Sequence, residues 1–213
     1  MSLTDKVDKR AHILAVAEQL FADKGFDGTS VRDIAQLASV NLAMISYYFG
    51  SKEKLLEALV EERAGYTLGL LEELNKDQTL TPWDKIERLT DYYVEKVMNN
   101  HRFHCIMTQQ YNNTRSNEIK ELFTNIKLRN LEQVKKVITD GQRKNMFRKV
   151  DIELTIASIM GTITHATNSR TFYCRLFKIE ETDDAAYRKK MAPKLKTHLK
   201  QMLRAHLDIK NEE

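Results

Sequence analysis

The chain has 213 residues, of which 42% are hydrophobic and 30% charged, and its formal net charge is +4. That balance excludes wholesale disorder, and with only seven Gly and two Pro an all-β sandwich or barrel is excluded too, because sheets need tight turns and tight turns lean on those residues. Two cysteines, Cys105 and Cys174, make neither a disulfide framework nor a Cys-rich metal site, no apolar run approaches the roughly 18 residues of a membrane span, and the opening Met1-Ser2-Leu3-Thr4-Asp5-Lys6 is too polar for a signal peptide.

The expected compartment is therefore the reducing cytoplasm. Residues 1–55 hold seven basic and seven acidic side chains, so any nucleic-acid role must rest on placement rather than on bulk charge.

Apolar spacing and caps predict an all-α chain of about nine helices and no strand. The first helix runs from about Val7 to Lys24 on a stripe of Ile13, Ala17, Leu20 and Phe21, with Gly25 as its stop. Ser30 caps a short second helix, and Asp33 three residues on completes an acidic capping box; Ile34, Ala35 and Ala38 form its apolar face. After Ser39-Val40-Asn41, Asn41 caps a third helix through about Tyr48, and Ser51 caps a fourth that continues to about Asn75. Thr81-Pro82 starts a fifth helix, with Pro at the tolerated first position, and Asn99-Asn100 ends it. A shorter helix is expected over His101 to Tyr111, another from Ser116 to Asp140 closed by Gly141, a long apolar one from the Asp151 cap to about Phe177, and a last one from Asp184 to about Leu207.

Residues 29–49 have the layout of a helix-turn-helix. Ala35 is small where the two helices meet, Val40 plugs the turn, and Ile45 anchors the second helix inward. That leaves Leu42, Ala43, Ser46 and Tyr47 facing outward, together with Met44, on a helix with no charged side chain. Such a surface needs a cover, and duplex DNA supplies one: apolar groups meet thymine methyls, and tyrosine hydroxyls reach phosphates. Thr29 and Ser30 offer hydroxyls and backbone N–H groups at a helix start, Arg32 reaches a phosphate or a guanine edge, Lys52 holds the backbone on the other side, and Lys6, Lys9 and Arg10 form a basic arm. By residue type alone, the same pattern also fits solvated charges around a three-helix core.

The stretch Ala15 to Leu56, AVAEQLFADKGFDGTSVRDIAQLASVNLAMISYYFGSKEKLL, resembles the N-terminal domain of the TetR family of bacterial transcriptional repressors. It combines A-x-x-L-F-x-x-x-G-[FY], T-S-V-R-D-I-A and Y-[YH]-F-x-S-K-E-x-L-L at that family's spacing. The resemblance implies a helix-turn-helix DNA-binding domain over residues 1–50, and a ligand-binding and dimerisation bundle over 51–213. It also implies a homodimer through the last two helices on a palindromic operator, released by a small-molecule effector. The implied DNA-facing residues are Thr29, Ser30, Arg32, Leu42, Ala43, Met44, Ser46, Tyr47, Tyr48 and Lys52. One departure stands out: a Lys-Gly-Thr-Leu-Tyr-like run is common in the family, and this chain has Leu42-Ala43-Met44-Ile45-Ser46.

In the remaining chain, Ile156, Ile159, Met160 and Ile163 keep the helix from Asp151 apolar, while Ser158, Gly161 and Thr162 allow close approach. Tyr187, Met191, Leu195, Leu199 and Met202 draw a stripe on the last helix, which the resemblance assigns to a dimer seam. Effector candidates, where polar groups interrupt apolar faces, are Met98, Met107, Tyr111, Phe123, His165, Asn168 and Tyr173. His101, His104 and Cys105 share a helix face but lack further ligands, so no metal is expected. No cofactor motif and no Ser-His-Asp order is present, so the chain is expected not to be an enzyme. An all-helical enzyme around His165 or Cys105, and a helix-turn-helix used as a protein-interaction module, are the competing readings.

Overall fold

The computed structural model describes residues 3–100, 104 and 117–209, with side chains from residue 9 onward. Among the described residues there are nine helices and no strand: α1 (Leu3–Lys24), α2 (Val31–Leu37), α3 (Leu42–Phe49), α4 (Lys52–Lys76), α5 (Pro82–Asn99), α6 (Asn117–Arg143), α7 (Ile152–Asn168), α8 (Arg170–Phe177) and α9 (Asp184–Leu207). Most of the helix expected over His101 to Tyr111 lies outside the described residues. The described residues divide into two compact units, 3–67 with 104 and 117–126, and 68–100 with 127–209.

The first unit is organised around the α1 stripe. Ile13, Ala17 and Phe21 are fully buried, with Leu20 beside them, against Ile34 of α2 and Ile45 of α3. The unit runs past residue 50, because Leu55, Leu56 and Leu59 of α4 and Ile119 and Phe123 of α6 pack into the same core. The segment expected as a basic arm is helical, since α1 begins at Leu3. Arg10 lies 3.4 Å from Glu62 and its guanidinium stands 5.5 Å from the centre of the Phe49 ring.

The second unit is built on α5 and α9, which carry complementary charges at four-residue spacing. Lys196 pairs with Glu95 at 2.6 Å, Lys200 with Asp91 at 2.7 Å and Arg204 with Glu87 at 2.5 Å, so rising numbers on one helix meet falling numbers on the other. Each pair is partly exposed and contributes roughly 0–1 kcal/mol; together they fix antiparallel register. Buried Lys85 donates to the Asn75 carbonyl at 3.0 Å, placing a cation at the electronegative C-terminal end of α4.

Three local expectations are corrected here. α6 does not stop at Gly141: it continues to Arg143, and Asn145 takes the left-handed conformation beyond it at φ 52°. Gly141 has a packing role instead, since a Cβ there would lie 2.1 Å from Cδ2 of Phe147. The single helix expected from Asp151 to Phe177 is two, broken at Ser169 (φ −96°, ψ 29°). Of the expected seam stripe, Tyr187, Met191, Leu195 and Leu199 are 3%, 4%, 6% and 0% exposed and form the unit's own core, while Met202 is half-buried at its edge. Amphipathic spacing says that a face is buried, without saying against what.

Candidate nucleic-acid interface

The two helices of the motif are each set by a local cap. At α2, Ser30 Oγ accepts from the Asp33 amide at 3.1 Å, and the Asp33 carboxylate accepts from the Ser30 amide at 2.8 Å and from its hydroxyl at 2.6 Å. At α3, Asn41 Oδ1 accepts from the Ala43 amide at 3.0 Å. Between them Val40 donates to Ala35 at 3.0 Å, and Ser39 takes φ 51° to let the chain turn. After α3, Gly50 adopts φ 80° and ψ −61°, and the Ser51 amide donates to the Phe49 carbonyl at 3.0 Å. This is the rare γ-turn, closed to side-chain-bearing residues without strain.

Ile45 and Phe49, four residues apart, are 1% and 8% exposed and hold α3 to the core. The opposite face presents Leu42, Ala43, Ser46 and Tyr47, with Leu42 at 38% and Tyr47 at 71% exposure. Arg32 on α2 is exposed as well, and Met44 is half-buried. The result is an apolar, hydroxyl-bearing ridge without charge.

Of the ten expected contact residues, Thr29, Tyr48 and Lys52 are turned toward partners within the unit, and Ser30, though exposed, has its donors occupied. Thr29 is 1% exposed, and its hydroxyl is shared between the carbonyls of Leu20 at 3.1 Å and Gly25 at 2.8 Å. Both Ser30 donors are spent on Asp33, so the turn expected to attract phosphate carries a carboxylate instead. Tyr48 packs against the core with its hydroxyl buried and without a partner among the described residues. Lys52 donates to the carbonyls of Phe26 at 2.9 Å and Thr29 at 3.0 Å. For Thr29, Tyr48 and Lys52 the deciding partner is a backbone group or the core, which residue type alone does not announce, whereas the Ser30–Asp33 pairing follows from the capping-box spacing.

The Ser30 hydroxyl, its amide and more weakly Lys24 hold the Asp33 carboxyl below the usual carboxylate value. A lowered folded-state value stabilises above the unfolded pKa, and that stabilisation is lost as pH falls through the folded one. Ser30→Ala, which removes the cap, is expected to lower the urea midpoint at neutral pH, with a gap from the unmutated chain that narrows as Asp33 protonates. Urea midpoints of both chains across an acid titration measure it; a gap constant with pH would remove Asp33 from the cap.

The described effector candidates fall in both units. Phe123 lies in the core of the first unit, whereas Met98 and Tyr173 pack in the second. His165 and Asn168 are exposed rather than buried. The break at Ser169 does bring the His165 and Tyr173 rings to 6.0 Å, edge to face, and Tyr173 stacks on Phe177 at 6.0 Å. Met107, Tyr111, His101 and Cys105 lie outside the described residues. Among the described residues no three His, Cys, Asp or Glu side chains gather where they could hold a metal ion, and no helix is long and apolar enough to cross a membrane.

One feature was not legible in the sequence: an open cleft of about 470 Å3 where the start of α7 meets the end of α9, lined by Leu154, Thr155, Met202 and His206 among others. The only local signal is Leu154, off the α7 core stripe and 66% exposed.

Residues 13–59 match the family described as bacterial regulatory proteins, tetR family. The probable HTH-type transcriptional regulator YttP of Bacillus subtilis is 40% identical over 98 residues, 46% of this chain and 47% of that one, so this match covers less than half the length of either. The HTH-type transcriptional repressor KstR2 of Mycolicibacterium smegmatis is 27% identical over 158 residues, 72% of this chain and 75% of that one. Among solved structures, the fatty acid degradation regulator FadR from Bacillus halodurans superposes with a TM-score of 0.71 at 22% identity, covering 92% of this chain and 96% of that one. FadR from Bacillus subtilis in complex with stearoyl-CoA gives 0.68 at 22% identity, covering 89% and 96%.

Proposed function

We propose that this chain, which belongs to the TetR family of bacterial regulatory proteins, is a cytoplasmic transcriptional repressor that binds a palindromic operator as a homodimer and is released by a small-molecule effector. The observation that carries this reading is the uncharged outward face of α3, with Leu42, Ala43, Ser46 and Tyr47 presented by a helix whose other side is locked in the core. A ridge of that kind fits a major groove, where methyl groups and hydroxyls are read at base edges. Arg32 supplies a phosphate contact beside it.

Two copies pair through the outward face of α7 and the exposed side of α9. On α7, Leu154, Ala157, Ser158, Gly161 and His165 follow one another at helical spacing and are all exposed. Apart from its own stretch of helix backbone, no atom lies within 4 Å of where a Cβ on Gly161 would stand, so a second backbone can come close. Of the expected effector residues, Met98 and Tyr173 share the second unit and are retained. FadR from Bacillus subtilis, which has a similar fold, is seen with stearoyl-CoA, and a small-molecule effector of this chain is taken to bind its second unit. The effector acts by preferring a conformer in which the paired α3 helices no longer match grooves one turn apart, about 34–36 Å.

Footprinting on DNA flanking the chain's own gene tests the reading. The expected result is a two-fold symmetric footprint that shrinks when the effector, found by thermal-shift screening of metabolites, is added. A chain that protects no duplex under low-salt conditions would end it. Arg32→Ala is expected to flatten the plot of log affinity against log salt by about one unit per protomer, for matched and scrambled duplexes alike; an unaltered slope would take Arg32 off the phosphate backbone.

A further inference from the structure

The family resemblance puts Lys52 on the DNA backbone, and the geometry gives its ammonium other work. Nζ donates to the carbonyls of Phe26 at 2.9 Å and Thr29 at 3.0 Å, and it stands 4.2 Å from the centre of the Phe26 ring. The lysine is half-buried. Both carbonyls belong to the loop that leads from α1 into α2, and this loop is itself anchored: Thr29 is tied to Leu20 and Gly25, and Phe26 packs on Phe21 at 5.2 Å. The loop ends at Ser30, the cap of α2.

We propose that Lys52 is the positioning residue that latches the first turn of α4 to the entry of the helix-turn-helix. The exit of the motif is fixed to the same turn of α4 by the Gly50 γ-turn. α4 therefore grips α2 and α3 at both ends, through Lys52 at one and through the chain itself at the other, and a rotation of α4 carries the pair as one body. Charge-assisted bonds to two carbonyls make the stronger of the available polar links, and the stacked Phe26 ring keeps water from competing for the ammonium. This assignment rests on the proposal that α3 reads DNA, and it names the point at which a movement of α4 reaches the reading helix.

Lys52→Met tests it, because the thioether side chain keeps the apolar stem on Phe26 and removes the donor. The probes are a duplex selected from a random pool by the unmutated full-length chain, and a scrambled duplex of equal length. Lys52→Met is expected to lower affinity for the selected duplex about tenfold and for the scrambled duplex far less, so that the specificity ratio falls. The salt slope stays as it was, and Lys52→Arg recovers most of the ratio. Hydrogen exchange at the amides of residues 26–34 speeds up in Lys52→Met, while that of α9 does not change. A flattened salt slope with an intact specificity ratio would make Lys52 a phosphate contact and overturn the latch, as would unchanged affinity for the selected duplex. Should the unmutated chain select no duplex at all, the regulator reading fails, and the latch is still judged by exchange: faster amides over 26–34 sustain it, unchanged amides overturn it.

Discussion

Ala43→Glu is expected to abolish specific DNA binding while leaving the fold intact. Ala43 is exposed in the first turn of α3, two residues after the Asn41 cap. A carboxylate there is favourable to the helix, because the N-terminal end of the macrodipole attracts negative charge, so thermal stability stays the same or rises slightly. Against a polyanion the same carboxylate meets like charge at a desolvated interface, which costs several kcal/mol, or on the order of a thousandfold in affinity. α3 carries no charge of its own, so nothing on this helix offsets the new one. Fluorescence anisotropy on the selected duplex, alongside a melting curve, measures both sides. Retained affinity would show that α3 does not enter the groove.

The largest effect on stability is expected from Phe147→Ala, at about 3–5 kcal/mol. Phe147 is 2% exposed, its ring meets Trp83 edge to face at 4.6 Å, and the Trp83 ring also carries the Arg204 guanidinium at 4.0 Å. The ring lies directly over Gly141, where a Cβ would approach it to 2.1 Å. Gly141→Ala alone is therefore destabilising through overpacking, by about 1–3 kcal/mol. The two changes are not independent: in the double variant the Gly141→Ala methyl group occupies space that the ring has left. Urea unfolding of both single variants and the double is expected to show a total loss smaller than the sum, by at least about 0.5 kcal/mol. Simple additivity would mean that Phe147 does not rest on Gly141 in solution.

The face proposed for self-association draws on the sequence at α7 alone. Gly161 and Ser158 sit exposed on that helix, whereas most of the stripe on α9 is covered by its own chain. Tyr187 shows why: its hydroxyl donates to the Ala166 carbonyl at 2.6 Å, and burial raises its pKa to about 12. A stripe of Tyr, Met and Leu at this spacing is buried in either case, and only the neighbouring helices decide whether the cover is the same chain or another.

By itself the sequence determined the helices, their caps and the helix-turn-helix, because those depend on residues three or four positions apart. Ser30 with Asp33, Asn41 with Ala43, and Thr81 with Asp84 are complete within one turn, and the Ile13-to-Phe21 stripe needs only helical periodicity. Even the α5–α9 charge ladder is written in outline, as acids at 87, 91 and 95 and bases at 196, 200 and 204. The tertiary structure alone decided where each polar side chain turned. Lys52 finds its acceptors 23 and 26 residues back along the chain, Thr29 turns inward, Gly141 yields to a ring from beyond its own helix, and Ser169 breaks a helix that composition would have continued. A buried donor must meet an acceptor wherever the fold brings one, and no local pattern records which distant backbone group that will be.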